Sequence, residues 1–170
     1  MMPSSVYYGV ADGWRIAMTS LPMLEESKCW KVSGVRTAAE FFRALPLLVP
    51  DATHMFLEGS PEPDIEVLLV DAADERDYTA PAGTYWSWPR KNRRFSVRVS
   101  AELFVRLSKV AAHHAEAEIC DHIHFYRDRN ALVQWFDAFS DPLLVSKLVP
   151  RERVEQFASA VGGAVSDGAA

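Results

Sequence analysis

Apolar and polar residues alternate most clearly in the last third of the chain. Three runs with strand-like alternation are separated by turn residues at 128–130 and 140–142. Because short turns join neighbouring antiparallel strands, these runs predict a three-stranded meander over 119–127, 131–139 and 143–149. A helix is expected next, since Val154, Phe157 and Val161 recur at helical spacing and Gly162 follows them.

Helix signals dominate the middle of the chain. Thr37 and Glu40 form a capping box ahead of an apolar helical face, and Pro46 is expected to end or kink that helix near Leu45. Ser100 precedes a second run of helical periodicity. Residues 64–73 are interpreted as a helix, although their Val/Leu run also fits a buried strand.

Together these elements predict the α/β (α+β) class: a mixed sheet with an antiparallel three-stranded C-terminal meander and helices packed on it. The length of 170 residues fits one domain, and no linker divides it. We therefore expect a single globular domain over 1–170, with disordered ends at 1–5 and 162–170.

Composition limits the cellular locations and the kinds of partner that we expect. The two cysteines, Cys29 and Cys120, form no paired motif, and the N-terminal residues do not resemble a signal peptide. No stretch approaches the roughly 18 apolar residues of a membrane span. We therefore expect a cytoplasmic protein that does not enter a membrane. The formal net charge of −5 argues against general nucleic-acid binding.

Four of the five histidines lie between 113 and 124. His122 and His124 are two residues apart, so in a strand both point to the same face, where they could hold zinc or another divalent transition metal. Asp137 is the candidate third ligand. If residue 122 lies opposite 135, Asp137 joins the histidine face; if 122 lies opposite 136, that face instead meets Leu132, Gln134 and Phe136. The alternative interpretation is the polar half of an ordinary strand.

Charge is unevenly distributed along the chain. Residues 58–77 carry eight acids and one base, whereas 90–98 carry five bases and no acid. Aromatic residues precede the basic run. The residues expected to bind a protein partner are therefore acids, tryptophans and one arginine: Asp74, Glu75, Asp77, Trp86, Trp88 and Arg90.

Two functions follow from these patterns. The first hypothesis is a non-enzymatic protein-interaction module of the inhibitor or immunity type, because charge is polarised and common catalytic motifs are missing. The alternative hypothesis is a small metal-dependent hydrolase in which His122 and His124 are ligands. The sequence does not identify the substrate, the partner or the metal.

Overall fold

Seven strands pair into one sheet in the computed structural model of the protein, which describes residues 22–73 and 93–168. In chain order they are β1 (Cys29–Ser33), β2 (His54–Gly59), β3 (Arg93–Arg98), β4 (His122–Arg127), β5 (Asn130–Trp135), β6 (Leu143–Ser146) and β7 (Ala164–Asp167). The strand order across the sheet is β3-β2-β4-β5-β6-β1-β7, and every pairing is antiparallel.

Four α-helices accompany the sheet in the described residues: α1 (Ala38–Leu48), α2 (Pro63–Asp71), α3 (Ala101–Ala111) and α4 (Arg151–Ala160). Two of them begin at the expected caps. The Thr37 Oγ1 atom accepts the Glu40 N–H at 3.3 Å, and the Ser100 Oγ atom accepts the Leu103 N–H at 3.1 Å. Pro46 lies inside α1, which continues for two further residues. None of the described helices is long and apolar enough to cross a bilayer.

The helices share one apolar core with one face of the sheet. Alternate strand residues such as Leu57, Ile123 and Val133 join buried residues of all four helices in a single cluster. Phe41 of α1 lies at its centre and contacts the Phe125, Trp135 and other aromatic rings at centroid distances of 5.0–6.2 Å. Burying such a ring contributes about 1.5–3 kcal/mol. The remaining strand residues face away from the helices.

The predicted class is confirmed: helices pack on a sheet, and β4, β5 and β6 form the C-terminal meander. The pairing is antiparallel throughout, so no parallel strands of a mixed sheet occur in the described residues.

Disorder was expected over 162–170, of which 169–170 lie outside the described residues, whereas 162–168 form a turn and a strand. Gly162 has a φ of 69°, and the Gly163 N–H donates to the Ala158 carbonyl, which ends α4 in a Schellman turn. That turn reverses the chain, and 164–167 then pair with β1 as strand β7.

Gly59, at the end of β2, lies against the backbone that leads into β4. A Cβ atom at this position would lie 2.9 Å from the Cys120 Cα atom and 2.9 Å from the Asp121 nitrogen. Because backbone atoms cannot move aside cheaply, we expect Gly59→Ala to lower the free energy of unfolding by about 1–3 kcal/mol. Urea denaturation measures this loss. The control is Ser60→Ala at the exposed neighbouring position, which should stay within about 0.5 kcal/mol. Equal midpoints for the two variants would contradict the close approach.

Candidate functional site

The face of the sheet opposite the four described helices carries polar side chains, several of them buried, in rows that cross several strands. In one row, Arg94, Glu58 and His122 lie side by side on β3, β2 and β4. In the next row, Phe56, His124 and Gln134 lie side by side on β2, β4 and β5. This face therefore holds the two histidines of the predicted metal site.

His124 is completely buried (0% exposed). Its ring stacks on Phe56 at a centroid distance of 6.1 Å and contacts Phe136 at 4.7 Å. Neither ring nitrogen has a hydrogen-bond partner among the residues that the structure describes. Burial, with a smaller contribution from the nearby His122, lowers the pKa of His124 to about 3. The imidazole is therefore neutral at physiological pH.

His122 and Asp137 lie close together, and their main contact is made by the backbone. The Asp137 N–H donates to His122 Nδ1 at 3.1 Å, whereas the Asp137 carboxylate is 4.0 Å away and its side chain is 71% exposed. A nitrogen that accepts an N–H carries no proton, so a neutral His122 holds its proton on Nε2. Metal-bound histidines usually have the opposite arrangement, in which the non-ligating nitrogen donates a proton.

The described residues contain no group of three or more His, Cys, Asp or Glu side chains placed to hold a metal ion. The metal site of His122, His124 and Asp137 and the hydrolase alternative both stay predictions.

Of the two predicted strand registers, the structure has the one in which residue 122 lies opposite residue 136. Ile123 pairs with Trp135, so the histidine face meets Gln134 and Phe136. A bulge between Phe125 and Tyr126 then shifts the pairing by one residue. As a result Leu132 packs in the helix-side core instead of facing the histidines.

Cys120 is also buried in the helix-side core. Burial raises the pKa of its thiol, which disfavours the thiolate form.

Four of the five acids in the segment 58–73 lie beside basic residues of the same chain. Arg94 lies 3.4 Å from Glu58, Arg93 pairs with Glu66, Arg106 lies 3.8 Å from Asp71, and His114 lies 2.9 Å from Asp64. The His114 hydrogen bond lowers the pKa of Asp64, and Asp64 in turn raises the pKa of His114. The negative charge of this described segment is therefore largely offset by the chain's own cations.

The six residues predicted to bind a partner, Asp74, Glu75, Asp77, Trp86, Trp88 and Arg90, lie outside the described residues. Their role stays a prediction.

A cleft of about 590 Å³ lies at the ends of β4 and β5. Its lining includes Glu116, Asp121, Asp137 and Asp141, with Arg36 as the cation among the described lining residues. Asp137 therefore belongs to the rim of this cleft as well as to the contact with His122.

A groove of about 670 Å³ lies between α1 and α3. Its floor is formed by the buried residues Phe42, Phe104 and Ser108. The Ser108 hydroxyl donates to the Ala39 carbonyl at 2.8 Å, which ties the two helices together at the groove.

The rim of the groove is basic. Arg43, Lys109 and His113 line it, and no carboxylate is among its described lining residues. Sequence reasoning missed this site because its walls come from segments about 60 residues apart. Each segment by itself has only the ordinary pattern of an amphipathic helix.

No protein-family model matches the chain, and neither the curated proteins nor the solved structures include a significant match.

The buried, neutral His124 should make stability depend on pH. Its pKa is about 3 when folded against an ordinary value of 6.5. Between these values the unfolded chain binds a proton that the folded chain does not, so stability is lost as pH falls below about 6.5. The contribution of this one group is about 1.4 kcal/mol per pH unit.

We expect His124→Leu to remove that slope between pH 6 and pH 4, as measured by urea denaturation at several pH values. Val70→Ala, at an exposed position without a titratable group, is the control and should keep the wild-type slope. If His124→Leu also keeps it, His124 does not resist protonation in the folded state.

Proposed function

We propose that the protein is an interaction module that binds an acidic protein partner through the groove between α1 and α3. The observation that carries this proposal is the basic rim around an apolar floor, on a chain whose net charge is −5.

The floor and walls of the groove supply apolar contact area. Phe42 and Phe104 line its base as buried residues, and Val105 beside them is 53% exposed. An apolar centre within a polar rim is the usual arrangement at protein interfaces. At protein interfaces, a few side chains that anchor in well-packed pockets supply most of the binding energy.

The rim charges favour an acidic partner. The rim cations Arg43 and Lys109 have no ion-pair partner among residues 22–73 and 93–168, in contrast to Arg93, which pairs with Glu66. Unpaired cations on an otherwise acidic protein attract a partner of opposite sign and set its orientation.

We place this activity in the cytoplasm. Cys29 and Cys120 are both buried free thiols, which supports a reducing compartment.

This proposal keeps the interaction module expected from the sequence but assigns partner binding to a different surface, the α1–α3 groove. The sequence pattern favoured the acids of 58–77, yet four of the five described acids of that segment lie beside basic residues of the same chain. An inhibitor or immunity role stays a prediction.

Site-specific crosslinking tests the proposal. A photoreactive benzoylphenylalanine replaces Val105, and cells of the organism that produces the protein are irradiated. We expect a covalent adduct with a partner whose crosslinked segment is rich in Asp and Glu. Adding Arg43→Glu and Lys109→Glu should abolish this adduct, because the reversed charges repel the same segment. Mass spectrometry identifies the adduct.

The matched control places the same photoreactive residue at Leu148, which is 63% exposed and does not line the groove. An equal yield of the adduct from Leu148, an adduct with a second copy of this chain, or an adduct insensitive to both charge reversals would overturn the proposal.

A further inference from the structure

We infer that the segment that enters the α1–α3 groove is an amphipathic helix that lies along it for about two turns, with acids on both sides of its apolar stripe. This inference rests on the proposed function and names the form of the partner at the same site.

The backbone of the groove favours a helical occupant. Both walls are α-helices, and the backbone N–H and C=O groups within a helix are hydrogen-bonded to one another. An extended segment would find no strand edge here to pair with, whereas a helix satisfies its own backbone groups and needs only side-chain contacts.

The length of the groove fits a short helix. On α3 the lining residues recur every turn, in the pairs Phe104 with Val105 and Ser108 with Lys109, and then Ala112. From Phe104 to Ala112 this wall is about 12 Å long at the helical rise of about 1.5 Å per residue. The small Ser108 and Ala112 side chains keep the wall low, so that an incoming ridge of side chains can pack close to it.

The rim cations lie on both walls. Lys109 belongs to α3 and Arg43 belongs to α1. A helix lying between the walls therefore meets positive charge on both sides of its buried stripe. Acidic residues on both flanks complement that arrangement, and basic residues there are repelled.

A defined peptide tests the inference. The probe is a fluorescein-labelled peptide of about 18 residues, long enough to form some helix when free, with leucines at positions i, i+3, i+4 and i+7 and glutamates on both flanks. Fluorescence anisotropy with the full chain measures its dissociation constant. We expect saturable binding that weakens as salt is raised.

Charge reversal and peptide controls locate the binding. Lys109→Glu should weaken binding about tenfold or more, whereas Lys28→Glu, at an exposed lysine that does not line the groove, should leave it unchanged. A peptide of the same composition with the leucine spacing shuffled, and one with lysines in place of glutamates, should both bind about tenfold or more weakly than the probe.

The outcomes separate the two proposals. If the Val105 adduct forms with an acidic partner but the shuffled peptide binds as tightly as the probe, the helical occupant is overturned and the acidic partner stands. If the probe fails to bind while the adduct forms, the helical occupant is again overturned and the acidic partner stands. If neither occurs, both proposals are overturned. Binding that ignores Lys109→Glu would place the peptide outside the groove and overturn the inference.

Discussion

The packing of Phe41 holds α1 against the sheet, and the position of the groove depends on it. The Phe41 ring contacts Phe125 of β4, Trp135 of β5 and Phe157 of α4 at centroid distances of 5.0–6.2 Å. These contacts turn one face of α1 toward the core. The next residues along α1, Phe42 and Arg43, then lie on the side that meets α3. The orientation of α1 that builds the core therefore also places Phe42 in the floor of the groove and Arg43 at its rim.

The two faces of the sheet differ because all four described helices join the core on one of them. Strand alternation sends the other set of residues away from the helices. On β4 this set includes His122 and His124, and in β2 it includes Glu58. Buried polar groups need partners, and a fully buried imidazole without one is costly to charge. The second face is therefore mixed, because it holds these polar groups together with a smaller apolar cluster of Phe56, Tyr126 and Ala131.

Local sequence patterns predict the elements of this fold better than their pairing. The caps at Thr37 and Ser100 and the β4–β5–β6 meander depend on neighbouring residues, and they appear where the patterns indicate. The bulge after Phe125 is not visible in the sequence, although it moves Leu132 to the core. The pairing of the β3 arginines with Glu58 and Glu66 depends on tertiary contacts between distant segments. The number of acids in 58–77 therefore does not predict the net surface charge of the described residues 58–73.

The difference between the two cations of α3 shows why surface charge has to be assessed in the fold. Arg106 and Lys109 are three residues apart on one helix, yet Arg106 lies 3.8 Å from Asp71 of α2 and Lys109 lines a groove without a described carboxylate. A cation beside an acid of its own chain adds little to the field that a partner meets, because the two charges largely cancel at a distance. A cation beside apolar side chains keeps its field and lies next to a surface that gains from losing water. Charge and apolar area therefore coincide at the α1–α3 groove, and this coincidence, rather than the total charge of the chain, favours an acidic partner.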